Sequence, residues 1–149
     1  MSLRAPGSTL DVMSYAGDVT PEQAYAAATG PEGALLVDVR TRAEWTYVGI
    51  PVLDGGADEV AFVEWSTYPH GLLNERFVEE VVEAGLTAGR PVYLLCRSGV
   101  RSRAAADALT AAGLGPAYNV LEGFEGGHDA VGQRSVSGWK NAGLPWRQG

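Results

Sequence analysis

The chain has 149 residues, a formal net charge of -7 and a single cysteine, Cys96. That length suits one domain, large enough to bury ~68–70% of its unfolded surface. One cysteine excludes an internal disulfide and a cysteine-cluster zinc site, the acidic balance argues against nucleic acid or an anionic membrane as partner, and 46% hydrophobic residues argue against disorder.

Residues 1–17 read as an N-terminal extension, with Met1-Ser2-Leu3 in the manner of an expression scar, and 18–149 as the domain. Met1–Asp11 holds no continuous apolar stretch of the secretory kind, and a lone cysteine suits a reducing cytoplasm. A signal already removed would leave no trace. No apolar run approaches the ~20 residues of a membrane span.

Thr20-Pro21-Glu22-Gln23 predicts a helix start with a capping box, closed by Gly30. Ala34–Val39 is a short apolar run expected as a buried parallel strand. Arg42–Val48 is expected as a short helix, Val52–Glu59 as a loop turned by Asp54-Gly55-Gly56, and Val60–Trp65 as a second strand. Tyr68–Leu72 reads as an exposed loop. Asn74 is expected to cap a helix to about Ala84 with Phe77, Val78, Val81 and Val82 on its apolar face. Pro91–Cys96 is the most apolar strand candidate. Ser102–Ala112 follows as a helix with Ala104, Ala105, Ala108, Leu109 and Ala112 on one side. Ala117–Leu121 is another strand, Gly123–Gly127 a turn, and Ser137–Asn141 a last short helix. Strands alternating with helices call for a parallel sheet covered on both faces, with ligands beyond the C-terminal strand ends.

Cys96 falls at such an end. It opens the segment Cys96-Arg97-Ser98-Gly99-Val100-Arg101-Ser102. A short loop with a central glycine can turn successive backbone N–H groups inward as an anion cradle, and the following helix adds its positive end. Arg97, Arg101 and Arg103 lie here with no acid between Glu83 and Asp107. These features favour a thiolate over a thiol, and a nucleophilic, partly exposed cysteine acting on an anion is expected. The plainer reading is a buried strand-end cysteine beside solvated arginines.

The C-x4-R segment Cys96–Arg101 resembles the active-site loop of rhodanese-family sulfurtransferases. Leu36-Val37-Asp38-Val39-Arg40 with Glu44-Trp45, the Asn119–Gly123 strand exit with Phe124, and Trp139–Pro145 resemble further stretches of the same family, so the likeness runs from about Val19 to Trp146. It implies an α/β fold, a three-layer sandwich with a five-stranded, mainly parallel sheet flanked by helices. It also implies sulfane sulfur transfer from thiosulfate or a related anionic donor to cyanide or a thiol, through a persulfide on Cys96 and with no other cofactor. The loop residues Arg97, Ser98, Gly99, Val100, Arg101 and Ser102 would bind the anion, and Asp38 and Arg40 would support the loop. For Arg40 the plainer alternative is a structural ion pair, with Glu44 as a candidate partner. A persulfide relay to a partner protein, or a module of the same fold that only binds one, stands as a second reading.

Cysteine-dependent phosphatases of the related fold use C-x5-R, and the residue at that place is Ser102. Phosphatase or arsenate-reductase activity is therefore ranked below sulfur transfer. The family often carries Gly-His-Ile-x-Gly-Ala where this chain has Glu44–Val52, so the rim formed by residues 47–60 is atypical. His70 and His128, the only histidines, lie in glycine-rich loops and suggest no metal site.

Overall fold

The computed structural model describes residues 15–31, 33–53, 60–67, 71–97, 99–126 and 138–147. In chain order these form β1 (Gly17–Val19), α1 (Pro21–Thr29), β2 (Leu35–Asp38), α2 (Arg42–Tyr47), β3 (Ile50–Pro51), β4 (Ala61–Phe62), β5 (Ser66–Thr67), β6 (Leu72–Leu73), α3 (Phe77–Glu83), β7 (Val92–Leu95), α4 (Val100–Ala111), β8 (Ala117–Val120) and β9 (Trp146–Arg147).

The two apolar runs are the centre of the fold. Every residue of β2 and of β7 is buried, as a strand covered on both faces requires. They pair in parallel, and the whole sheet is parallel in the order β1-β8-β7-β2-β4. Alternate residues point to opposite faces. Leu35, Val37, Val92, Leu94 and Cys96 face α3 and α4 through Phe77, Val81, Ala105, Ala106 and Leu109. Leu36, Tyr93, Leu95 and Val120 face α1 and the C-terminal segment through Ala24, Ala28, Phe124 and Trp139. The three-layer α/β architecture is thus as expected, with all five strands parallel. Among the described residues no helix is long and apolar enough to cross a membrane.

Local chemistry sets the element ends. Thr20 Oγ1 accepts from Gln23 N–H at 3.1 Å while Thr20 N–H donates to Gln23 Oε1 at 2.9 Å, the capping box that the sequence predicts. The helix expected from Asn74 begins at Phe77 instead. The Asn74 side chain is spent elsewhere: its amide donates to Glu64 O and Glu80 Oε1, both at 2.8 Å, and its carbonyl accepts from Arg76 N–H. On α3 Phe77 and Val81 are buried, but Val82 is exposed and leaves the expected apolar face. The helix expected from Ser102 starts two residues earlier, at Val100, and Ala104 lies on its exposed side.

Other expectations are corrected in the connections. Gly17–Val19 forms an edge strand against β8, within a stretch without an apolar run. It opens one residue before the expected domain start. Only Ala61–Phe62 of Val60–Trp65 is strand. The stretch read as a plain loop after it is bounded by the antiparallel pair β5–β6, with residues 68–70 outside the described residues. No helix forms over 138–141; these residues are turns, and Ser137 lies outside the described residues. Trp146–Arg147 pairs antiparallel with Ile50–Pro51. The turn expected at Asp54-Gly55-Gly56, and both histidines, also fall outside the described residues.

The α3 correction gives a test. Phe77, which meets the Trp65 ring edge-on at 5.1 Å, is buried. Phe77→Ala should cost about 3–5 kcal/mol in urea unfolding. Val82→Ala, on the exposed side, should stay within about 0.5 kcal/mol.

Candidate active site

The parallel register carries Cys96 just past the end of β7, beside the exit of β2, where Val39 N–H donates to Leu95 O at 2.8 Å. Cys96 is a free thiol, and the residue is only 1% exposed. The expectation of a partly exposed side chain is corrected: Cys96 belongs to the core cluster that α3 and α4 cover. Its Sγ accepts from Gly99 N–H at 3.0 Å and lies 3.2 Å from Ser102 Oγ. Gly99 has φ 103 and turns the chain straight into α4, whose start carries no side-chain cap and no acidic residue. Among the described residues no side chain caps this 12-residue helix, and its positive end, with the Gly99 N–H, lies at this corner. Ser98 lies outside the described residues, and Val100 is exposed.

The turn after β8 closes the loop from the other side. Phe124 N–H donates to Cys96 O at 2.7 Å and Glu125 N–H to Arg97 O at 3.0 Å. The approach is close enough that a Cβ on Gly123, itself at φ 57, would sit 2.7 Å from the Arg97 carbonyl. Only glycine meets both the left-handed backbone and the contact.

The arginines are distributed by partners remote in sequence. Arg101 grips Glu44 bidentately, Nη1 to Oε1 and Nη2 to Oε2, both at 2.8 Å. Glu44 is also the third residue of the α2 capping box with Thr41. Burial pushes the Glu44 carboxyl up, but the hydrogen bonds from Arg101 and Thr41 outweigh it and hold it at about 2. The same contact, over a smaller opposing burial effect, raises Arg101. Arg97 is half exposed and meets Glu125 at 3.4 Å. Arg103 acts on Tyr15 and Asp18.

Asp38 and Arg40, both fully buried, form an ion pair at 2.7 Å. Arg40 therefore pairs with Asp38, and Glu44 with Arg101, which corrects the Arg40–Glu44 alternative. Arg40 Nη2 also donates to Gly49 O at 2.7 Å, and the guanidinium stacks 4.2 Å over the Phe124 ring. Since Phe124 holds the Cys96 carbonyl, the buried pair lies beneath the loop without touching the thiol. The sequence reading missed Glu44 as the partner of Arg101 and missed Asn119, whose Oδ1 accepts from Ser102. The Thr41-x-x-Glu44 spacing marks the start of α2 but not the partner 57 residues away. Nothing local signals Asn119.

A cysteine at the end of a central parallel strand, cradled by a C-x4-R loop at a helix start, is the arrangement of a rhodanese-like domain. The family model of the rhodanese-like domain matches residues 20–130, and the chain belongs to that family. Two uncharacterised proteins, RC0915 of Rickettsia conorii and RP600 of Rickettsia prowazekii, are 37% and 35% identical to it, each over 87% of this chain and 96% of its own length. Among solved structures, the crystal structure of Rv0390 from M. tuberculosis is 51% identical, with a TM-score of 0.82, covering 91% of this chain and all of that one. The solution structure of the polysulfide-sulfur transferase homodimer from Wolinella succinogenes shares the fold at 19% identity and a TM-score of 0.60, over 93% and 82% of the two chains.

The Arg101–Glu44 clamp predicts an acid limb. Glu44 sits below its ordinary value of 4.5, so its contribution is complete above that pH and is lost as pH falls toward about 2. Glu44→Gln should cost on the order of 3 kcal/mol near neutrality. In urea titrations at a series of pH values, the gap between the two proteins should shrink between pH 4.5 and 2.

Proposed function

We propose that the protein is a sulfurtransferase that carries a sulfane sulfur on Cys96. The observation that carries this reading is the cysteine's position: Sγ at the end of β7, accepting Gly99 N–H at the uncapped start of α4, inside a C-x4-R loop of a rhodanese-like chain.

The chemistry is a two-step exchange. The Cys96 thiolate attacks the outer sulfur of thiosulfate or a related donor. A new S–S bond forms, the donor's S–S bond breaks, and sulfite leaves with the bonding pair. The negative charge then rests on the outer sulfur of the persulfide, against the loop N–H groups and the positive end of α4. Cyanide or a thiol attacks that outer sulfur, takes it as thiocyanate or as a persulfide, and returns the Cys96 thiolate. No metal or organic cofactor enters the scheme. Half-exposed Arg97 is the residue to meet the sulfonate end of the donor. Arg101 holds the loop's shape through Glu44. Asp38 and Arg40 support the loop from beneath through Phe124. We place the enzyme in a reducing compartment, where the thiol persists.

Two observations disfavour phosphoryl transfer. The loop is one residue shorter than C-x5-R, and Arg101 has both terminal nitrogens on Glu44. A relay to a protein thiol uses the same first step and differs only in the acceptor.

Steady-state thiocyanate formation from thiosulfate and cyanide should give parallel double-reciprocal lines and vanish in Cys96→Ser. Intersecting lines, or aryl phosphate hydrolysis that depends on Cys96, would contradict the reading. Arg101→Ala should slow thiosulfate loading about tenfold or more by releasing the loop from α2, read by rapid mixing in the absence of cyanide.

A further inference from the structure

Beyond the loop, a string of side chains runs from the buried sulfur to the surface. Cys96 Sγ lies 3.2 Å from Ser102 Oγ, which donates to Asn119 Oδ1 at 2.5 Å. Asn119 Nδ2 donates to Asp18 Oδ1 at 3.0 Å, and the Tyr15 hydroxyl donates to the same oxygen at 2.8 Å. Ser102 and Asn119 are fully buried, whereas Asp18 is exposed. Backbone pairing holds the far end in place, since Asp18 and Asn119 are register partners of β1 and β8.

The direction of every hydrogen bond in this string follows from one group. An ionised carboxylate only accepts, so Asn119 must turn its NH2 to Asp18 and its oxygen to Ser102. Ser102 has a single hydrogen, and Asn119 takes it. What Ser102 presents to Cys96 is then a lone pair. A thiol can donate to it; a thiolate finds only another acceptor. The inner sulfur of a persulfide also lacks a hydrogen, but it is neutral, its charge one atom farther out, so the conflict is weaker.

We propose that Asp18 is a positioning residue for Cys96, acting through Asn119 to fix Ser102 as a hydrogen-bond acceptor. The string thereby gives the Cys96 thiol an acceptor for its hydrogen and leaves the bare thiolate without a donor from Ser102. It rests on the sulfur-transfer reading for its purpose, but not for its test. The Asn119 and Tyr15 hydrogen bonds, against a smaller opposing burial effect, lower the Asp18 carboxyl and keep it charged. Arg103 from α4 and Tyr15 face Asp18, and Arg101, with Glu44 from α2, faces Cys96.

The test is a thiolate titration by ultraviolet absorbance near about 240 nm, read as the difference from Cys96→Ser so that tyrosines cancel. It needs no sulfur donor, so a failure here is separable from a failure to load sulfur. Asp18→Asn lets Asn119 turn over and frees the Ser102 hydrogen for Sγ. The thiolate fraction at a given pH should rise about tenfold. In a Ser102→Ala background, or in Asn119→Ala should that variant not fold, Asp18→Asn should change nothing. An unchanged titration in Asp18→Asn overturns the proposal. An equal shift with Ser102 absent also overturns it, because the effect would then be the through-space loss of a charge.

Discussion

The site depends on how closely the turn after β8 approaches the loop after β7. Two backbone hydrogen bonds, Phe124 N–H to Cys96 O and Glu125 N–H to Arg97 O, continue the contact of the two strands beyond their ends. Gly123 permits that approach, and Phe124 passes it down to the buried Asp38–Arg40 pair. The cysteine is placed by backbone in a fully covered sheet, and the charged side chains hold that backbone still. Burying the Asp38–Arg40 pair is costly unless its hydrogen bonds are made, and most of them are: Asp38 receives three from the Arg40 side chain and one from Arg40 N–H.

Charge looks different in space from how it looks along the chain. Arg97, Arg101 and Arg103 form a positive island in the sequence. In the fold each faces an acid from far away: Glu125, Glu44 and Asp18. The island is therefore largely balanced. What remains positive at Sγ is the uncapped start of α4 and the Gly99 N–H. These are fixed dipoles, which a small anion meets without the cost of ordering long side chains.

The parts of the structure legible in sequence were those with a local cause. The β2 and β7 runs, the Thr20 capping box and the glycine in the cysteine loop each state their own geometry. The candidate cysteine was legible because strand, loop and helix start converge on it. β1 was not, because Gly-Asp-Val has no apolar pattern and is a strand only by pairing with β8. Asn74 was misread as a cap because its amide has better partners in Glu64 and Glu80. The burial of Cys96, the Arg101–Glu44 clamp and the Asp18–Asn119–Ser102 string join residues 57, 101 and 17 positions apart, and no window along the chain contains them.

All of this converges on one sulfur atom. Intact mass measurement after incubation with thiosulfate, before any acceptor is added, addresses it directly. The account predicts a gain of about 32 Da, one sulfur, that disappears on adding cyanide and never forms in Cys96→Ser. An unmodified mass with thiosulfate and with polysulfide donors, or a gain that persists in Cys96→Ser, would contradict it.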